Sequence, residues 1–370
     1  MYAALIMLAL DAAHGANGVI VDAAAVRGAT SSAPVVARAE LIDEVAATGS
    51  TDALVVEIRA ALTDPTLEVV AREWLLDSGL AALRGLPPSA AARTLARELA
   101  GRPPLVYTQV EFEHGGHVVP LYDPGATARF ALRHWVRIEA RESAARALST
   151  GSAHAVEDFL TLARASGPDA ARSGILDAFG AADLAQLRLQ RPAIVAALRA
   201  GLRADELALL LARRLRDAEL YALTIGHADP AIALAAVLTA AHALDGPAAC
   251  DILAAAADRE PIASAALLQI GRLASSVPAA QQLLLERLSD PVSGESAAAA
   301  LAGIDDPTLA ARIGGSLRTT RDEAMRRRLA LALKLNGGPG ARDELAKLVS
   351  SKQGSAELRK EVAAWLAPAP

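Results

Sequence analysis

His114 and His117 stand on either side of a Gly115-Gly116 pair, with Glu113 and Asp123 close by along the chain. Two imidazoles and a carboxylate are the donor set of a divalent-metal site, which needs about three protein ligands converging on one point. In a two-residue Gly-Gly turn the histidines face each other, but Glu113 points to the opposite side of the ladder and no third ligand is in register. The pair reads as a solvated tip, and no metal ligand is assigned. His134, beside Trp135 and Arg137, reads as an ordinary helix residue. The single cysteine, Cys250, lies among Ala248, Ala249, Ile252 and Leu253, which is a packing pattern, and it excludes both an internal disulfide and a multi-cysteine metal cage. Gly314-Gly315 and Gly337-Gly338 lack the lysine and the serine or threonine of a phosphate loop, and there is no Gly-x-Ser-x-Gly sequence. No catalytic residue and no cofactor is assigned.

Positive charge is the other chemistry-bearing feature. Seven arginines fall between Arg188 and Arg216, and seven basic residues between Arg312 and Lys334, among them Arg321, Arg326, Arg327 and Arg328. A basic patch on a helical scaffold can hold a nucleic-acid backbone. The clusters lack interleaved aromatics, three consecutive arginines must wrap around a helix, and the chain carries a net charge of -5. Solvated helix faces are the expected reading, and nucleic-acid binding is kept as an alternative.

The elements that must position these residues are legible from proline. Of 370 residues, 53% are hydrophobic but only 3% aromatic, with Ala at 89 positions, so any core is built of small aliphatic side chains. Pro230, Pro261 and Pro291 are spaced by 31 and 30 residues, and Pro247, Pro278, Pro307 and Pro339 by 31, 29 and 32. Proline is tolerated in the first turn of a helix and disfavoured inside one, so each repeat is two helices. The first opens at Asp229-Pro230, Glu260-Pro261 or Asp290-Pro291, with Asp322 in the equivalent place of the fourth copy, where a carboxylate caps free amides. Apolar residues recur between the prolines at helical spacing, as in Leu267, Ile270, Gly271 and Ala274, on faces too small to fold unless neighbouring pairs stack.

These paired helices resemble HEAT-type repeats, in particular the short variety named after phycobilisome lyases, over four copies between Asp229 and Ser350. Upstream, Asp64-Pro65 before Leu67, Val70, Ala71, Trp74 and Leu75, and Gly167-Pro168 before Ile175, follow the same grammar. The resemblance implies an all-α solenoid, a superhelix of stacked antiparallel helix pairs that offers its concave face to a protein or peptide. Hydroxylases of this repeat class carry His-Glu dipeptides as iron ligands, and the chain has no His-Glu step.

One segment departs from the pattern. Leu105 to Glu113 and Val118 to Tyr122 are β-favouring runs around Gly-Gly, which predicts a hairpin with His114 opposite His117, Phe112 opposite Val119 and Val110 opposite Leu121. Five of the eleven aromatics fall between 105 and 135. Interface energy concentrates on aromatic and Arg anchors, so Tyr107, Phe112, His114, His117, Tyr122, Trp135 and Arg137 are the candidate partner-binding residues. Bracing of the helices is the competing role of the hairpin.

The expected organisation is a signal peptide or first helix at 1–15, a linker at 16–32 and helical repeats at 33–102. The hairpin insertion follows at 103–123, degenerate repeats at 124–228, HEAT-like repeats at 229–366 and a frayed tail at 367–370. Tyr2 to Leu10 is too short to span a bilayer, and Ala13-His14-Gly15 offers a cleavage site, so the expected location is periplasmic or secreted, with cytoplasmic as the alternative. The function expected is a non-enzymatic scaffold for a protein partner. The alternatives are a metal- or cofactor-handling enzyme using the hairpin, and nucleic-acid binding through the arginines.

Overall fold

A computed structural model describes residues 18–112, 115–164, 169–304, 306–351 and 353–367. The expected signal peptide, His114, the Gly167-Pro168 step and most of the expected tail lie outside the described residues. The chain is an all-α stack of helix pairs interrupted by one β-hairpin, with twenty helices among the described residues. It divides into two compact units, 1–143 with 168–175, and 144–167 with 176–370.

In the second unit the helices alternate between two layers. The first helices of successive pairs are α10 (Asp205–Leu215), α12 (Pro230–Ala243), α14 (Ala263–Leu273), α16 (Gly294–Ala302) and α18 (Glu323–Asn336). Each packs on the next. Between them run α11 (Ala218–His227), α13 (Gly246–Ala256), α15 (Pro278–Arg287), α17 (Pro307–Thr319) and α19 (Pro339–Ser350), preceded by α9 (Leu184–Arg199) and closed by α20 (Ala356–Leu366). Pro230, Pro278, Pro307 and Pro339 each open a helix, where a missing N–H removes no helical bond. The Asp229 carboxylate accepts from the amides of Ala231 (2.9 Å) and Ile232 (3.2 Å), and Asp322 caps α18 in the same way. Pro261 and Pro291 differ from expectation: α14 and α16 begin at Ala263 and Gly294. At the second of these, Asp290 accepts from Val292 N (2.9 Å) and Ser293 Oγ (2.7 Å), which turns the chain once more before the helix starts.

The first unit holds α1 (Ala23–Thr30), α2 (Ala33–Ala47), α3 (Thr51–Thr63), α4 (Val69–Arg84) and α5 (Ala90–Ala100). It also holds the hairpin and the start of α6 (Pro124–Ser149). Its core runs from Val35 and Ile42 through Leu54, Ile58, Leu75, Leu80 and Leu95 to Trp135. Residues 18–32 of the expected 16–32 linker are ordered instead. Val19–Ile20 forms β1, parallel to β2 (Val106–Phe112), and Asp22 caps α1 through Ala25 N at 2.8 Å.

The hairpin is present, but from Tyr107 to Phe112 each residue of β2 pairs with a residue four positions earlier than expected. Phe112 pairs with Gly115, Val110 with His117 and Thr108 with Val119, so that Gly115 and Gly116 belong to β3 (Gly115–Tyr122). The expected register would carry β3 on to residues opposite Tyr107 and Val106 that already form the first turn of α6. Asp123 caps that helix by accepting from Ala126 N at 2.7 Å, so the helix start ends the strand and sets the pairing. The Tyr107 carbonyl accepts from Val21 N at 2.9 Å, on the side away from β3. Pro120, which pairs with Tyr107, therefore turns its donorless nitrogen to the open edge and blunts strand addition there.

Two glycines in α8 (Ala170–Ala181) give a test of helix packing. A Cβ on Gly174 would press on the Arg137 carbonyl, 2.9 Å from its carbon and 3.0 Å from Arg141 N, all backbone. A Cβ on Gly180 meets nothing within 4 Å. Gly174→Ala is expected to cost about 1–3 kcal/mol through overpacking. Gly180→Ala should gain up to about 1 kcal/mol from helix propensity. Thermal unfolding of both variants checks the opposite signs.

Candidate functional site

The seven candidate anchors do not form one surface. Tyr107 is 3% exposed and Trp135 is 0% exposed, both inside the first unit, and a group that is already buried cannot anchor a partner on the outside. Burial, with Asp123 nearby, raises the Tyr107 phenol above its usual range, and burial with Asp77 does the same for the half-buried Tyr122. His117 is half-buried opposite Val110, and Arg137 is exposed on α6. Phe112 ends the described part of β2.

The root of the hairpin is built into the helices. The buried carboxylate of Glu73 on α4 takes an ion pair from Arg102, just before β2, and Asp77 one turn further accepts from Thr127 Oγ1 at 2.6 Å. Through these contacts α4, the strands and α6 are joined by polar bonds set among apolar residues. That arrangement ties the base of the hairpin to the helices. Among the described residues no three His, Cys, Asp or Glu side chains stand close enough to hold a metal ion. Cys250 is buried, and burial with Asp251 pushes its thiol up, away from the reactive thiolate.

The basic clusters are engaged rather than merely solvated. Arg326 bonds Glu323 and the Thr320 carbonyl, and Arg327 reaches Glu357 at 3.2 Å. Arg328 donates to the carbonyls of Leu288 (2.8 Å) and Pro291 (3.3 Å). Arg318 and Lys347 hold the nearly buried Glu344, and although burial raises that carboxyl, their hydrogen bonds bring it below its usual range. In the upstream cluster Arg191 grips Asp217 and Glu219, and Arg199 shares Glu219. Of the four patch residues only Arg321 stands exposed with no ion pair among the described residues. Nucleic-acid phosphates would have to compete with these partners.

A periodic device emerges from the same side chains. Arg214 donates to the carbonyls of Gly180 and Ala182, Arg259 to Ile225 and Ala228, and the Asn336 amide to Ala302 and Ile304. Every one of these bonds spans 31 to 34 residues, one repeat, and closes carbonyls left open where a helix of the preceding repeat ends. Sequence reasoning missed it because a fork reaching back one repeat looks the same, residue by residue, as a solvated arginine.

It also missed the most distinctive surface. In a chain that is 21% charged, α12 has no charged residue at all, α14 has only Arg272, and α16 has only Glu295. Leu234 (37% exposed) and Leu238 (46%) project from α12, and Leu268 (48%) projects from α14 one repeat further on. Beside them, between α8, α10 and α12, lies an open cleft of about 700 Å³. Its walls include Leu176, Leu209, Leu210 and Ile232, together with the charged Glu206, Arg213 and Arg214. Scattered exposed leucines are ordinary, but three on two neighbouring helices that carry almost no charge make an apolar patch. The signal was in the sequence as the uncharged run from Pro230 to Ala243. No family model and no curated protein matches the chain.

Proposed function

We propose that the protein is a non-enzymatic helical-repeat scaffold of the HEAT type, binding a protein or peptide across the first-layer helices α10, α12, α14 and α16. The observation that carries this reading is the nearly uncharged outer face of α12, α14 and α16, with Leu234, Leu238 and Leu268 exposed beside the cleft. Stacked repeats give extended surface, and interface cores are depleted of charge. The partner-binding role moves from the hairpin region to this face, because Tyr107 and Trp135 are buried.

The test is capture of partners from extract of the native cell by the wild-type chain and by Leu238→Asp with Leu268→Asp. Both leucines are exposed, so the variant should keep its melting temperature while specific capture falls by about tenfold or more. Undiminished capture by a folded variant would sink the assignment of this face.

A further inference from the structure

A second cleft, of about 450 Å³, opens between α18, α19 and α20. Leu333, Leu345 and Leu366 give it apolar walls, Trp365 an aromatic one, and Lys334 and Arg342 line it as cations. The Lys334 ammonium stands 4.3 Å from the centre of the Trp365 ring. Among the described residues no acidic side chain lines the cleft; of its neighbours in sequence, Asp343 and Glu361 are exposed and Glu344 is held by Arg318 and Lys347. The contrast with the neighbouring cations is informative. Arg318, Arg326, Arg327 and Arg328 all have acidic or carbonyl partners, whereas neither Lys334 nor Arg342 has an ion pair among the described residues.

We propose that this cleft binds a small organic anion: a flat apolar body bearing a carboxylate or phosphate. The ring of the ligand would lie against Trp365 and the leucines, with its charge between Lys334 and Arg342. Two cations and an apolar wall recognise such a molecule together, since the charge alone is competed by water and salt and the ring alone gains little area. Gly337 adds to the wall where α18 ends and α19 begins. This site is separate from the face assigned to the protein partner, and either assignment can fail without the other.

Calorimetric titration of the full chain at low salt tests it, using phenyl phosphate and benzoate against inorganic phosphate and benzyl alcohol. Both aromatic anions should bind, with quenching of Trp365 fluorescence that disappears in Trp365→Leu. Inorganic phosphate and benzyl alcohol, which each lack half of the recognised chemistry, should bind at least about tenfold more weakly. Lys334→Gln and Arg342→Gln alter exposed side chains, keep the fold by circular dichroism, and should each weaken phenyl phosphate by about tenfold. The proposal is overturned if neither aromatic anion binds at millimolar concentration, if inorganic phosphate binds as well as phenyl phosphate, or if Arg342→Gln leaves binding unchanged.

Discussion

Trp135→Ala is expected to destabilise the first unit by about 3–5 kcal/mol, the range for emptying a fully buried aromatic site. The ring is completely covered and belongs to the core shared with residues from α2, α3, α4 and α5, and a close-packed interior closes over such a cavity only in part. Hydrogen exchange is the suitable readout, because stacked repeats open locally and a single midpoint averages over them. Protection should fall across α2 to α6, and much less beyond Ala182. The indole Nε1 is buried with no hydrogen-bond partner among the described residues, which already costs stability. Trp135→Phe keeps a ring and removes that donor, so it should lose clearly less than the alanine variant. Unchanged protection in Trp135→Ala would mean that the core is not organised around this ring.

The second large effect separates a binding hairpin from a bracing one. Tyr107→Ala should lower stability by about 3 kcal/mol, because Tyr107 is buried where β2 meets the helices. Tyr122→Ala, at a half-buried position, should cost about 1 kcal/mol. Partner capture, measured below the melting temperature of each variant, should persist. Loss of capture at an unchanged melting temperature would restore the hairpin as the contact surface and overturn the brace.

The repeat architecture was legible because proline and acidic caps act locally, through one helix turn, and local rules survive in a single sequence. The hairpin was legible for the same reason. Its register was not, because the pairing is decided by where α6 begins, and Asp123 capping Ala126 outweighs the preference of Gly115-Gly116 for a turn. Aromatic type made Tyr107 and Trp135 candidate anchors for a partner, whereas both are buried, since side-chain type does not say which face of an element is covered. The engagement of the arginines was not legible, because most of their partners lie 20 to 40 residues away in sequence. The uncharged run in α12 was visible all along, yet its meaning depends on α14 and α16 lying beside it.

The clamps of Arg214, Arg259 and Asn336 all reach in one direction, from a later repeat to an earlier one. A polypeptide is made from its amino terminus, so at these three places the carbonyls at a helix end stay open until the clamping residue, one repeat further on, has been synthesised. Truncation from the carboxyl terminus should therefore loosen the repeat before the cut as well as remove the one after it.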